Sequence, residues 1–547
     1  EQASGLLAPH FQQTRRRGFS YEQPFLWAIS PYQDLVLSPQ FNTEVAPFLN
    51  AEWRKRFYSG TIDARLGYTH EQDFNTAGVK FGPERNKGYV LASGRFEPTD
   101  DWTWGFSAER VQDKLVFDQY SIRQVYQSRG VFLSDDRRLL SQLYAVRQDQ
   151  RSYLSVALLS FQSLRPLINL PANAFGIRPF EDDDTLPQVS PLVEGRYEPA
   201  QPVLGGRLRL RGGGVFLTRK ESPALSGAPG IDSGRATLEA DWRASLTFAS
   251  GLRIEPFADV RGDYYRVTDL TPDTQTTSRL LPTVGVDFSL PFIRTFGRTS
   301  VILEPIAQIA LSPNAKAYPN IPNEDSLAFD FNDTNLFEYN RSPGFDLFEG
   351  GQRMNVGVRA SADWGGGHNA QVVIGRSFRV EPDPNIPART GLQGRSSDWI
   401  VAAEARPITG VAFYTKARLD DRTLEVNRIE FGADLSTRRV GGHIRYLRED
   451  QDFAGVFRED IEAQGDVFIT PRWGVSVNAI HDLATSTWRK RTAGIVYRDE
   501  CTRLDVIYER NEAPVLGGRS SDSIIVRLSL AINGDARYRS QGVDWSD

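Results

Sequence analysis

The stretch "RATLEADWRASLTFASGLRIEPFADVRGDYY", Arg235 to Tyr265, decides the fold. Leu238, Ala240, Trp242, Ala244, Leu246 and Phe248 alternate with Thr237, Glu239, Asp241, Arg243, Ser245 and Thr247. Such a period of two belongs to a strand with one apolar and one polar face. Ala249-Ser250-Gly251 then turns the chain. Leu252, Ile254, Pro256, Ala258 and Val260 resume one face, with Arg253, Glu255, Asp259 and Arg261 on the other. Two alternating runs around so short a turn make a hairpin.

The pattern recurs along the chain. Arg207, Arg209 and Arg211 alternate with Leu208 and Leu210. Ile429, Phe431, Ala433 and Leu435 oppose Glu430, Asp434 and Ser436. Ile524, Val526, Leu528, Leu530 and Ile532 oppose Arg527 and Ser529. No stretch reads as an amphipathic helix. A length of 547 residues favours several soluble domains, yet one texture runs from end to end. No apolar run is long enough for a transmembrane helix. Net charge is −5 and mean hydropathy −0.40, compatible with either a soluble protein or a β-barrel. Arginine outnumbers lysine 56 to 8, but no basic run is longer than Arg15-Arg16-Arg17 and the net charge is acidic, so nothing points to nucleic acid. The chain opens at Glu1 without a methionine or signal peptide, as expected of a mature or trimmed product.

A soluble sandwich would bury the apolar faces; a transmembrane barrel would turn them to lipid and enclose the charged ones. Strands of about 10 residues can cross a bilayer when tilted. Aromatics gather near strand ends in "WTWGF", "DYY" and "RFY". Short turns such as "FASGL" alternate with long polar connections such as "YPNIPNEDSLAFDFNDTN". These features favour the barrel, and hydrocarbon forbids an open sheet edge. The expected fold is all-β: one large antiparallel transmembrane β-barrel over 1–547, with long external loops. At roughly 20 to 22 residues per strand and connection, about 26 strands follow. So wide a lumen needs a plug, inward-folded loops or a partner. The segment 312–352 is the longest polar connection and is expected over or inside the barrel mouth.

Several strings resemble the LPS-assembly outer-membrane protein family, LptD. They are Leu303-Glu304-Pro305 with Gln308; Asn323-Glu324-Asp325-Ser326; Leu336-Phe337; Arg341, Gly344 and Asp346; and Gly351 with Arg353. "ASGLLAPHF", "YEQPFLWAISPYQDLVLSPQF", "DTLPQVSPLVEGRY" and "YRDEC" followed by "LDVIYERN" match in order, so the resemblance covers essentially the whole chain. It implies a 26-stranded barrel in the Gram-negative outer membrane that delivers lipopolysaccharide to the outer leaflet and is not an enzyme. It also implies the plug lipoprotein LptE inside the barrel, and periplasmic bridge proteins acting through an N-terminal jellyroll domain outside this sequence. No cofactor is implied.

The family pairs cysteines near its C-terminus with others upstream. Cys501, the one cysteine, is therefore a candidate for a disulfide with a residue before Glu1; a free thiol is the alternative. Proline removes a ladder donor, and Pro9 and Pro24 match prolines of the family. With Gly5 and Gly18 they suggest a lateral gate between the strand near 6–13 and the strand near 523–532, which carries Ile524, Val526 and Leu528. Arg341, Asp346 and Arg353 are expected to make polar contacts at the mouth.

Weaker signals stay open. Asp330, Asn332 and Thr334 loosely resemble a calcium loop but lack its glycine and glutamate, so no metal site is assigned. Glu181 to Asp184 could hold cations or be a solvated loop. The five histidines lack ligand spacing, and a Walker loop is absent. The alternatives to a lipid transporter are a porin-like channel, a plugged nutrient transporter and a soluble β-rich binding protein.

Overall fold

The computed structural model describes residues 3–134, 137–167, 170–223, 228–268, 274–314, 316, 318–326, 329–451, 455–511 and 521–530. Its 30 strand segments form one antiparallel sheet that closes when the last segment pairs with His10–Thr14. Eight segments combine as four broken strands. Gly5–Leu6 with His10–Thr14 is the first strand, and Gly18–Glu22 with Phe25–Ser30 the second. Asp232–Arg243 continues into Leu246–Thr247, and Gln275–Ser289 into Phe292–Phe296. Among the described residues the barrel therefore has 26 strands, the number the chain length suggests. Three of the four breaks hold a proline, Pro9, Pro24 and Pro291, which has no N–H for the ladder.

The alternation is inside out relative to a soluble core. Leu238 is 74% exposed, while its neighbour Thr237 is buried. Across the hairpin, Val260 and Tyr264 face outward, and Asp259, Arg261 and Asp263 are buried inside. Leu280, Val284, Met354, Val358, Ile374, Val506 and Ile524 continue the exposed apolar band. Apolar faces thus surround the molecule instead of meeting in a dry interior, as a membrane barrel requires. Phe57, Tyr58, Trp102 and Trp104 are exposed towards one rim and Tyr264 towards the other.

The rims differ. One carries connections of nine residues or fewer, among them 31–32, 58–59, 100–101, 198–206 and 297–298. The other carries the long loops 112–137, 164–187, 312–351 and 380–398. Loop 112–137 contains a helix, Val116–Tyr120, that the sequence reading missed; five residues are too few to display a 3.6-residue period.

Candidate functional site

Two regions stand out: the seam where the barrel closes, and the loop 312–351. At the seam, five residue pairs hold the last strand, Ser521–Leu530, to the first, from His10↔Arg527 to Thr14↔Ser523. Ten pairs join its other edge to Thr502–Asn511. The short ladder ends next to Pro9, which cannot donate. Beyond this break Gly5 and Leu6 pair only with Leu26 and Phe25 among the described residues. The second strand breaks at the same level, at Pro24. There Leu7 N donates to Pro24 O and Gln23 Nε2 to Leu7 O, both at 2.9 Å.

Ile524 and Val526 lie opposite Gln13 and Phe11, whereas Leu528 pairs only with Leu504 among the described residues. Ile532 lies outside the described residues. Gly18 starts the second strand at φ +70°, and a methyl there would overlap the Thr43 side chain. Its glycine therefore serves a tight turn. Beside that turn, fully buried Arg17 donates to Tyr120 O at 2.9 Å and to Gln12 Oε1, and Arg16 donates to Ser121 Oγ. The Val116–Tyr120 helix is fixed in turn by Tyr120 and Phe117 packing against Phe48, Phe74 and Tyr89.

The loop 312–351 is held to inward-facing side chains by two charged clusters. In the first, segments around Asn323 and Gly344 clasp each other. Asp325 accepts from the N–H groups of Phe345 and Asp346 at 3.0 Å, and Asp346 accepts from those of Glu324 and Asp325 at 2.8 and 3.2 Å. Gly344 leaves the space this needs, because a methyl would collide with Asp325. Asn323 Oδ1 closes the segment by accepting from Ser326 N at 2.9 Å.

Arg235, on the wall, bridges Asp325 and Asp346 at 2.6 and 2.7 Å. Arg219 holds Glu324 through two bonds of 2.9 and 2.8 Å. Arg279 donates to Asp346 O at 2.8 Å, and both Arg261 and Arg279 donate to Phe345 O. Burial pushes both carboxyls of the clasp upward, but their neighbours differ. For Asp325, Arg235 and two backbone N–H groups outweigh burial and hold it below the usual range. For Asp346, the neighbouring Asp325 charge adds to burial and keeps it above.

The second cluster centres on Glu349, buried at 1% exposure. Arg341 donates to it at 2.7 Å, Arg379 donates to it, and Arg353 lies at 3.8 Å. Burial alone would raise this carboxyl; the three guanidinium groups outweigh it and draw it down to about 2. Arg341 also donates to Asn355 Oδ1 at 2.6 Å and Leu336 O at 3.0 Å. Arg353 caps the carbonyls of Glu349 and Gly350 at 2.6 and 2.8 Å. Leu336 is fully buried with Phe331, Ile386, Leu392 and Ile400, and Phe337 packs beside them. Phe337 O accepts from Gln308 at 2.5 Å.

The sequence reading did not assign Glu349, Arg219, Arg235, Arg261 or Arg279 to the loop. The available signal is position: Arg235, Arg261 and Arg279 lie on polar faces that alternate with lipid-facing residues, and Arg219 directly follows the strand Arg207–Thr218. Of the weaker signals, Glu181, Asp183 and Asp184 are ion-paired with Arg138, Lys114 and Lys220. Asp330 meets Arg428 at 2.8 Å, and Asn332 caps Thr334 within a local turn. Among the described residues no group of three or more His, Cys, Asp or Glu side chains is placed to hold a metal. Cys501 is exposed in a connection of the short-turn rim, where the first strand also begins, and its N–H donates to Asp499 at 3.0 Å.

A closed 26-stranded barrel with an apolar exterior, a charged interior and a loop clasped to its inner wall defines a large β-barrel of the outer-membrane type. The profile of the family LptD, "LPS transport system D", matches residues 85–473. The chain belongs to that family. The LPS-assembly protein LptD of Polaromonas sp. is 24% identical over 456 residues, 78% of this chain and 50% of that one. The LptD of Nitrosococcus oceani is 23% identical over 543 residues, 96% of this chain and 67% of that one. The chain spans about half the length of the first of these relatives. Among solved structures, the ferric preacinetobactin receptor BauA of Acinetobacter baumannii overlaps at a TM-score of 0.29 and 9% identity, covering 96% of this chain and 80% of that one.

Proposed function

We propose that this chain is the membrane-spanning part of a lipopolysaccharide translocon of the outer membrane, and that lipid leaves it through a lateral gate between the first and last strands. Family membership supports the substrate. One observation supports the gate: among the described residues five pairs close the seam, against ten on the other edge of the same strand. An amphiphile with a bulky sugar chain needs a wet lumen for its sugars and a side exit for its acyl chains. The join with the shortest ladder exposes the fewest unpaired backbone groups when it opens, and each such group costs several kcal/mol in hydrocarbon. Pro9 borders that ladder at His10 and keeps it short, and the Pro24 break interrupts the second strand at the same level.

The same reading puts a plug lipoprotein such as LptE in the lumen beside the loop 312–351, and supplies lipid from periplasmic bridge proteins. It leaves Cys501 available to a cysteine outside this sequence. The test is the double substitution Pro9→Ala and Pro24→Ala, assayed in the full-length protein by the rate at which lipopolysaccharide reaches the cell surface. Extended pairing should slow export several-fold. Export at the unsubstituted rate, with a folded barrel, removes the gate from this seam.

A further inference from the structure

On the outer face, far from the seam in strand order, the Trp102–Val111 strand leaves its neighbour early. Backbone pairing with Arg138–Gln148 runs from Trp102↔Arg147 to Ser107↔Gln142 and stops. Beyond that point side chains replace the ladder. Ser141 Oγ accepts from Glu109 N at 3.0 Å and donates to Glu109 O at 3.1 Å. Gln162, one strand further on, accepts from Val111 N and donates to Val111 O, both at 3.0 Å.

Arg110 sits between these two lacings and points outward, exposed. Its guanidinium is held by Phe161 O at 3.1 Å and Ser160 Oγ at 2.6 Å. Below it the same outer face is apolar, with Trp104, Leu143, Leu154, Val156 and Leu158 exposed. The switch from apolar to polar marks the level where hydrocarbon gives way to headgroups, since side-chain lacing of this kind would be costly deeper in lipid. The rim above carries the long loops.

A cleft of about 600 Å³ opens here, lined by Arg110, Ser160, Gln162, Gln188, Thr218 and Lys220 among others. The three carboxylates that line it are engaged: Asp183 with Lys114 at 2.8 Å, Asp184 with Lys220 at 2.9 Å, and Asp232, which accepts from the Arg219 N–H at 2.9 Å. Arg110 bonds only neutral acceptors among the described residues. It is thus a cation fixed in place, without an anionic partner among the described residues, directly above an exposed apolar surface.

The geometry points to a lipid site on the outer wall: Arg110 binds the phosphate of a lipid headgroup, and the acyl chains lie along Leu154, Val156 and Leu158. A guanidinium fork suits phosphate oxygens, and amide and hydroxyl groups of Gln162 and Thr218 are at hand for the rest of the headgroup. This site lies outside the lumen and stands whether or not the barrel transports lipid.

The test uses the chain purified in an uncharged detergent and titrated, with native mass spectrometry as readout, against three lipids: a bis-phosphorylated glucosamine lipid, phosphatidylglycerol, and a neutral glucosyl diacylglycerol. Both phosphate-bearing lipids should bind more tightly than the neutral one, and Arg110→Gln should weaken them about tenfold while leaving the neutral lipid unchanged. A loss confined to the glucosamine lipid or to phosphatidylglycerol assigns the site to that source. No loss for either overturns the proposal. A second measurement needs no variant: a photoactivatable phosphatidylglycerol should label peptides containing 104–112 and 154–163 above the rest of the outer wall. Even labelling around the barrel overturns the proposal as well.

Discussion

The seam and the wall behind the clasped loop are built from the same alternating strands and hold together very differently. The strands Arg253–Thr268 and Gln275–Ser289 share fifteen residue pairs, whereas among the described residues the first and last strands share five. Ten pairs fewer means roughly ten fewer ladder hydrogen bonds, on the order of 5–15 kcal/mol at net aqueous values. The long wall is also tied through Arg261, Arg279 and Tyr265 to the loop backbone and to Asp346. A barrel can thus be stiff over most of its circumference and openable at one join, provided that pairing and loop contacts are unevenly distributed.

The sharpest way to break this contrast is to lock each kind of join with the same chemistry. Residues directly opposite in a ladder lie within reach of a disulfide. Gln13→Cys with Ile524→Cys crosses the seam, and Val506→Cys with Val526→Cys crosses the ten-pair join beside it. If the seam is the exit, the first lock should abolish surface delivery of lipopolysaccharide and the second should leave it near normal. Equal behaviour of the two locks would mean that the five-pair join has no special role.

The next largest effect belongs to the loop. Glu349→Gln leaves Arg341, Arg353 and Arg379 facing one another without their shared carboxylate. Breaking a buried ion pair from one side costs about 3–5 kcal/mol. The loss should fall on the loop: faster protease cleavage within 312–351, with heat-modifiable migration of the barrel retained. A barrel that melts together with its loop would show that the clasp supports the wall as much as the wall supports the clasp.

How much of this is legible in the sequence follows from what a period of two can encode. The alternation around Leu238 and Val260 states which residues face lipid, and chain length then sets the strand number. It cannot state which inward groups meet across the lumen. Arg235 and Asp325 are ninety positions apart, and neither carries a local sign of the other. Phe257 marks the limit: an apolar residue on the polar face, it looks like a lapse in the pattern. In the structure it is buried, with its ring 5.4 Å from that of Tyr339 in the loop. Arg15-Arg16-Arg17 reads as a short basic run, yet Arg17 is buried beneath a helix too short to announce itself. Local periodicity carried the fold, and contacts between distant segments carried the site.

The smallest expected effect is a difference in pH dependence between the two regions. Glu349 has a folded value of about 2, below the roughly 4.3 of an unfolded glutamate. Its contribution is therefore fully present above the unfolded value and is lost as pH falls through the folded one. Asp325 is also depressed and acts in the same sense. Asp346, raised by burial and by Asp325, acts in the opposite sense: folding favours its protonated form, and that contribution fades as pH rises. The two depressed carboxyls should dominate on the acid side. Protection of 312–351 from an acid-tolerant protease should hold down to about pH 4.5 and decline from there towards pH 2. The seam ladder consists of backbone hydrogen bonds, which do not titrate, so cross-linking efficiency between Gln13→Cys and Ile524→Cys, measured with an acid-compatible reagent, should stay flat over the same window. A parallel decline of both would show that the clasp and the seam share one cooperative unit, and the division of the barrel into a stiff wall and a separable join would have to be abandoned.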